Sequence, residues 1–167
     1  MKAWHAPPPR DVVATEREWP GGEGRLLGMT TTDRKPRALL LAGDREALSS
    51  LAAAFHRRGF DVVAGSDGAA GVELLLDHLL SLDVLVADVD LPGRGGASLL
   101  ELVRVAGGER DLAVVLRCRD LSPRAGERLR ALGADALVRV TDAPETIAAV
   151  AEEAIWARQP FAAAAAA

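Results

Sequence analysis

The feature that most constrains this chain is segment 84–96, which reads VLVADVDLPGRGG. Its first four residues are apolar without polar alternation, which is typical of a central parallel strand that helices cover on both faces. The run ends at Asp88, and Pro92-Gly93 then turns the chain away. Open α/β sheets place their sites at the carboxyl ends of such strands. We therefore predict a functional site at Asp88, with a strand-ending Asp that caps a turn as the alternative.

From residue 37 onward, short apolar runs alternate with segments of helical periodicity. The strand candidates are 38–42, 60–64, 84–87, 112–116 and 136–140. Each is followed by apolar residues at helical spacing, as at Leu48, Leu51 and Phe55. This alternation predicts a flavodoxin-like (βα)5 fold, which is a doubly wound, five-stranded parallel sheet of order 2-1-3-4-5. In that order the ends of the first and third strands meet, so Asp44 and Asp88 share one cleft.

Capping signals mark where the last two helices begin. Ser122-Pro123 has the sequence of an N-cap followed by a first-turn proline, which predicts the fourth helix. Asp142 and Glu145 have the spacing of a capping box, so Asp142 is the predicted N-cap of the last helix.

The segments outside 37–158 are not expected to fold. Residues 1–36 contain Pro-Pro-Pro, Pro-Gly-Gly and Thr-Thr-Thr runs that break any period, so we expect a disordered, dispensable N-terminal extension. Met29 is an alternative to Met1 as the start of translation. Residues 159–167 finish in six alanines, which predicts a frayed helical tail.

Composition narrows the class of protein. The net charge of −4 argues against direct nucleic-acid binding, and no apolar stretch reaches the ~20 residues of a membrane span. Cys118 is the only cysteine, which fits a reducing, cytoplasmic compartment; we expect its thiol to be buried and inert, with a reactive thiol as the alternative. Seven arginines between 104 and 130 are expected to lie on a solvated helix face and its flanking loops. They are Arg104, Arg110, Arg117, Arg119, Arg124, Arg128 and Arg130.

Several spaced features of residues 37–158 together resemble the receiver domain of bacterial two-component response regulators. They are the (βα)5 order, Gly59-Phe60 after the first helix, Asp67-Gly68 before the second, the D-x-x-x-P-G pattern at 88–93, and Gly133-Ala134-Asp135 before the last strand. The resemblance implies a signalling module rather than an enzyme. It also implies that Asp88 accepts a phosphoryl group from a histidine kinase and that the backbone carbonyl of Asp90 joins Asp88 in binding Mg²⁺.

The chain departs from the family's pattern at the remaining site positions. Two adjacent acids that hold Mg²⁺ in the family correspond to Ala42 and Gly43, with Asp44 one residue late. The hydroxyl residue that ends the fourth strand corresponds to Cys118, and the lysine of the fifth strand to Val140. Phosphoryl transfer requires a metal ion and a cation to neutralise the phosphoryl oxygens. We therefore predict an atypical pseudo-receiver with weak or absent Mg²⁺ binding and poor phosphorylation.

Arg119, which directly follows Cys118 near the Asp88 cleft, is expected to face solvent. The alternative is that it pairs with Asp88 and stands in for the missing lysine. With few acids nearby, Asp88 lacks the like-charged neighbours that raise a carboxyl pKa, so we expect it to be ionised at neutral pH.

We expect a stand-alone module that acts by protein–protein contact. In receiver domains the fourth helix, fifth strand and fifth helix commonly form the contact face, which implies a histidine kinase or other signalling protein, or a homodimer, as partner. The matching residues here are Arg124, Arg128, Arg130, Glu152, Glu153 and Trp156. Mixed charges beside an exposed Trp156 predict an electrostatically guided contact. The alternative is a flavodoxin-like small-molecule-binding protein or enzyme that shares only the fold.

Overall fold

The computed structural model describes residues 16–18, 25–27, 34–106, 112–120 and 122–158. Its strands in chain order are β1 (Glu16–Glu18), β2 (Arg25–Leu27), β3 (Arg37–Leu41), β4 (Asp61–Gly65), β5 (Val84–Asp88), β6 (Ala113–Cys118) and β7 (Ala136–Arg139). Its helices are α1 (Arg45–Arg57), α2 (Gly68–His78), α3 (Gly96–Ala106), α4 (Pro123–Ala131) and α5 (Pro144–Ala157).

The last five strands form one parallel sheet in the order β4-β3-β5-β6-β7. Counted over these five strands, the order is 2-1-3-4-5, so the predicted flavodoxin-like fold is confirmed. The three inner strands carry the apolar runs: Leu39, Leu85 and Val114 have no exposed surface. Burial on both faces explains why these strands lack polar alternation.

Alternate strand residues pack into two separate hydrophobic cores, one on each face of the sheet. Leu40 and Val86 face α1 and α5, whereas Leu39 and Leu85 face α2, α3 and α4. On the α1 side the rings of Phe55 and Phe60 meet edge to face, with centroids 4.9 Å apart. Within the described ranges, none of the helices has the length and apolar composition needed to cross a lipid bilayer.

Short polar side chains start three of the helices. Asp44 caps α1 by accepting the Ala47 N–H at 2.7 Å, and Asp67 caps α2 in the same way. Ser122 caps α4, as the sequence predicted. After α1, Gly59 has a φ of +86°, which is the left-handed conformation that ends a helix and favours glycine.

The start of α5 corrects the predicted capping box. Ala143 is the N-cap and makes no side-chain hydrogen bond, while Pro144 opens the helix. The Asp142 carboxylate instead accepts the backbone N–H of Arg139 at 2.7 Å, closing the turn between β7 and α5. A carboxylate committed to that turn leaves the first turn of α5 without a side-chain cap.

Within the segment 1–36 the structure describes two three-residue strands and residues 34–36, and the predicted disorder of the segment as a whole stays a prediction. β1 and β2 pair antiparallel, with Glu16 opposite Leu27 and Glu18 opposite Arg25. Dispensability of the segment stays a prediction, and the predicted tail at 159–167 lies outside the described residues.

Candidate functional site

Asp88 is the last residue of β5 and lies at the carboxyl edge of the sheet, as predicted. Its neighbour on one side is the end of β3, whose following residue Gly43 donates its backbone N–H to Asp88 Oδ2 at 3.1 Å. The predicted proximity of Asp88 to Gly43 is therefore confirmed. One carboxylate oxygen is already engaged by the backbone.

The other oxygen of Asp88 meets a buried arginine. Arg117 in β6 is the register partner of Asp88, and its Nη1 lies 2.9 Å from Asp88 Oδ1. Its Nη2 donates to the backbone carbonyl of Val140 at 3.3 Å. Only 3% of the Arg117 side chain is exposed, against 15% for Asp88. The pair is an ion pair without an aligned hydrogen bond, because neither Nη1 nor Oδ1 has a hydrogen-bond partner among the described residues.

Arg117, not Arg119, is thus the cation paired with Asp88, which corrects the prediction for Arg117. Arg117 was expected on a solvated surface, whereas it is almost fully buried; Arg119 is exposed, as expected. Side chains on a strand alternate between faces, and register partners share a face. Val115 and Arg117 therefore follow one another on the face that also carries Val86 and Asp88. The register was the signal that could have identified Arg117.

Arg117 also contacts the position at which receiver domains carry a lysine. That position corresponds to Val140, whose backbone carbonyl accepts from Arg117. A guanidinium that reaches from β6 to both Asp88 and Val140 places positive charge at the same edge of the sheet.

Burial raises the pKa of Asp88 above its ordinary value. Arg117 is the largest influence in the opposite direction, followed by the hydrogen bond from Gly43. Asp90 contributes a smaller rise through charge repulsion. The expectation from charge alone overlooked desolvation, which penalises the carboxylate even where few other acids are present.

The remaining acids of the cleft are not arranged around a metal ion. The Asp44 carboxylate caps α1 and accepts the Ala47 N–H, while Asp90 is exposed in the turn after β5. No cluster of three or more His, Cys, Asp or Glu side chains in the described part of the chain could hold a metal ion. Mg²⁺ requires several oxygen ligands in octahedral geometry. A single carboxylate that is paired with Arg117 does not fit it.

Cys118 ends β6 and packs in the core on the α2, α3 and α4 side of the sheet. Only 3% of the residue is exposed. Burial raises the pKa of its thiol, and the charges of Asp90 and Asp88 raise it further. A protonated, buried thiol is a poor nucleophile, as expected for an inert core cysteine.

The loop after β5 is hydrogen-bonded to the start of α2. Gly68 donates its N–H to the carbonyl of Pro92 at 2.8 Å. A Cβ on Gly68 would lie 2.0 Å from the Arg94 carbonyl oxygen, so this approach requires glycine. Gly93 has a φ of +82°, which also favours glycine. The turn that follows Asp88 is consequently held close to α2.

The predicted contact face requires a correction at Glu152. This side chain is 1% exposed and pairs with Arg58 at the end of α1, with Nη1 and Oε2 2.5 Å apart. It belongs to the α1–α5 interface and does not belong to an exposed surface. Trp156 is partly buried, which reduces the surface that it presents to a partner. The other members of the face, Arg124, Arg128, Arg130 and Glu153, are exposed.

Solved structures of receiver domains superpose on this fold. The receiver domain of Francisella response regulator 1452 gives a TM-score of 0.66 at 18% identity, covering 75% of this chain and 100% of that one. Chemotaxis response regulator CheY4 of Vibrio cholerae gives 0.65 at 18% identity, with 71% and 98% covered. At such identities the likeness shows the fold.

Curated proteins that match in sequence are response regulators and transcriptional regulators. The chain is 39% identical over 69 residues to transcriptional activator protein PfeR of Pseudomonas aeruginosa, which covers 41% of this chain and 22% of PfeR. It is 31% identical over 88 residues to two-component response regulator ARR10 of Arabidopsis thaliana, which covers 53% and 15%. The matches thus span less than a quarter of these relatives. No protein-family model matches. The resemblance to response-regulator receiver domains is confirmed.

Proposed function

We propose that this chain is an atypical receiver module of two-component signalling that acts by protein–protein contact without phosphorylation of Asp88. The observation that carries the proposal is the engagement of both Asp88 oxygens, one by Arg117 and the other by Gly43. The receiver fold and the likeness to response regulators support the signalling role.

The paired state of Asp88 opposes its use as a phosphoryl acceptor. A nucleophilic carboxylate must present a free oxygen in line with the bond that breaks. Moving Arg117 away from Oδ1 would leave a guanidinium that is 3% exposed without its counter-ion. Ala42 and Gly43 offer no carboxylates for a metal ion that would stabilise the transferring group. The pairing with Arg117 and the lack of metal-binding carboxylates both oppose phosphorylation of Asp88.

The proposed partner is a histidine kinase or another signalling protein, and homodimerisation through α4, β7 and α5 is the alternative use of the same face. The exposed arginines of α4 favour a partner with an acidic surface. We further propose a cytoplasmic setting, to which the single, reduced Cys118 is suited.

Intact-mass measurement after incubation with acetyl phosphate and Mg²⁺ tests the proposal. We expect the wild-type protein to gain no phosphoryl group at Asp88. Asp88→Asn is the matched control, because its amide oxygen can still face Arg117. A rapid, Mg²⁺-dependent gain that disappears in Asp88→Asn would contradict the proposal. A gain that persists in the variant comes from another residue and agrees with a blocked Asp88.

A further inference from the structure

A cavity of about 520 Å³ lies at the amino edge of the sheet, where β3 and β4 begin. The polar residues of its wall are Arg34, Lys35, Arg37, His56, Asp61 and Ser81. Since the strands are parallel, Asp88 lies at the opposite edge, and the length of β3 separates the two edges by roughly 15 Å at ~3.3 Å per residue. The cavity is therefore distinct from the Asp88 cleft, and its volume lies within the range of small-molecule sites.

Two arginines of this cavity are held in position by acids and by one shared residue. Arg34 donates through Nη2 to Asp83 Oδ1 at 2.8 Å and through Nη1 to the Ser81 carbonyl at 3.0 Å. Arg37 donates through Nε to Asp61 Oδ2 at 2.7 Å and through Nη1 to the Ser81 hydroxyl at 3.1 Å. Both guanidinium groups therefore converge on Ser81, and their planes are oriented in the absence of a ligand.

The same two guanidinium groups keep N–H groups for a ligand. A guanidinium carries five N–H groups. Contacts within the described residues use three on Arg34 and three on Arg37, which leaves two on each. Both side chains also keep accessible surface, 47% for Arg34 and 33% for Arg37. An acceptor that enters the cavity can consequently reach them without breaking the ion pairs that hold them.

The cavity carries an excess of positive charge. Asp83 balances Arg34, and Asp61 balances Arg37. Lys35 is exposed and forms no ion pair within the part of the chain that the structure describes. One cation beside two oriented guanidinium groups favours an anionic ligand.

The helix ends near the cavity present paired carbonyl groups. At the end of α1 the Gly59 N–H donates to the His56 carbonyl at 3.0 Å, and after α2 the Ser81 N–H donates to the His78 carbonyl at 2.8 Å. Unpaired carbonyl groups give a helix C-terminus its negative charge, so these contacts reduce the repulsion of an anion. His56 Nδ1 lies 3.3 Å from the Phe60 carbonyl oxygen, which can only accept, and Nε2 becomes a further donor when the ring is protonated.

We propose that this amino-edge cavity binds a small phosphomonoester through its phosphate group. The phosphate oxygens accept from the guanidinium groups of Arg34 and Arg37 and from the ammonium group of Lys35. Three cationic side chains exceed the two oxygens of a carboxylate, whereas a phosphomonoester presents three terminal oxygens in a geometry that guanidinium groups match. The rest of the volume accommodates the organic part of the ester. The inference goes beyond the proposed signalling function and does not depend on whether Asp88 is phosphorylated.

Titration of the isotope-labelled full chain, followed by NMR of the Asp61 and Ser81 amides, tests this site. The probe is glycerol phosphate, and inorganic phosphate, sulfate and glycerol are the controls at matched ionic strength. We expect saturable shifts with glycerol phosphate, weaker binding of phosphate and sulfate, and no shifts with glycerol. The affinity is expected to fall as salt is raised, because the cations are partly exposed. Equal binding of sulfate and glycerol phosphate would mean an adventitious ion only and would overturn the proposal.

Lys35→Gln is the informative variant, and Arg45→Gln in the first turn of α1 is its matched control. Both residues are exposed and each substitution removes one positive charge, but Arg45 lies at the opposite edge of the sheet. We expect Lys35→Gln to weaken binding roughly twofold to fivefold, as loss of one exposed charge contact does, and Arg45→Gln to leave it unchanged. Lys35→Glu is expected to weaken binding further. Equal effects of Lys35→Gln and Arg45→Gln, or absence of saturable shifts, would overturn the proposal.

A second arm of the titration separates this cavity from the Asp88 edge. Asp88→Asn is titrated with glycerol phosphate under the same conditions. Because Asp88 lies at the opposite edge of the sheet, we expect the affinity and the shifts at Asp61 and Ser81 to match those of the wild type. Loss of binding in Asp88→Asn would place the ligand at the Asp88 edge and overturn the assignment to the amino edge.

Discussion

Two ion pairs with a deeply buried member lie on the same face of the sheet, and they differ in which charge is hidden. In Asp88–Arg117 the cation is the more buried member, with 3% of its side chain exposed against 15%. In Arg58–Glu152 the acid is buried at 1%, while 29% of Arg58 is exposed. In both pairs some side-chain atoms have no hydrogen bond within the part of the chain that the structure describes. They are Asp88 Oδ1, Arg117 Nε and Nη1, and Glu152 Oε1.

The difference matters because the two buried charges can respond differently to losing their partners. A buried carboxyl group can take up a proton and become neutral, and burial already raises the pKa of Glu152. Arginine side chains keep their proton in proteins, so a buried arginine cannot be neutralised in the same way. Between α1 and α5 the group that titrates is therefore the buried member of the pair, whereas at the β5 edge it is the less buried Asp88.

The largest expected effect is the loss of stability in Asp88→Ala. Removing the carboxylate leaves Arg117 as a buried, uncompensated cation, which typically costs about 3 kcal/mol. We expect the free energy of unfolding from urea denaturation to fall by about that amount. A change below ~1 kcal/mol would contradict this prediction, because it would mean that Arg117 reaches solvent or another acceptor without difficulty.

Arg58→Met is expected to have a smaller effect that grows with pH. Burial raises the pKa of Glu152, and loss of Arg58, the largest opposing influence, raises it further. The native state then retains a proton that the unfolded chain releases, so stability falls as pH rises through the window above the ordinary glutamate pKa. We expect a loss of about 2 kcal/mol near pH 7 and a smaller loss near pH 5.

The exposed pair between Arg57 and Glu145 provides the control for that experiment. It joins the same two helices, but more than half of each side chain is exposed. We expect Glu145→Gln to leave the free energy of unfolding unchanged within error across the same pH range, since solvent screens exposed pairs. A pH-independent loss in Arg58→Met would show that Arg58 acts through packing of its aliphatic stem.

The sequence predicted the fold well because local and global signals agree. Apolar runs such as 84–87 and helix-ending glycines such as Gly59 depend on burial and backbone conformation, which short stretches of sequence reveal. The N-cap of α5 was predicted wrongly because the Asp142 carboxylate could accept either an N–H of the first turn of α5 or an N–H at the end of β7. The path of the turn after β7 brings it to the Arg139 N–H. The pairing of β1 with β2 was missed because each strand has only three residues.

The site was only partly predictable. Asp88 follows from the end of an apolar strand, and the absence of acids at Ala42 and Gly43 can be read directly. Arg117 was not identified, because a charged residue near a strand end is usually solvated. Its role depends on strand register and on the space between α1 and α5, both of which are properties of the folded chain.

The most direct test of the central claim is a double-mutant cycle on Asp88 and Arg117. The variants Asp88→Ala, Arg117→Met and their combination are compared with the wild type by urea denaturation. If the two charges hold each other, the double variant loses much less stability than the two single losses combined. We predict a coupling energy of about 2 kcal/mol. Additive losses, with a coupling energy near zero, would contradict the claim that Asp88 is held by Arg117.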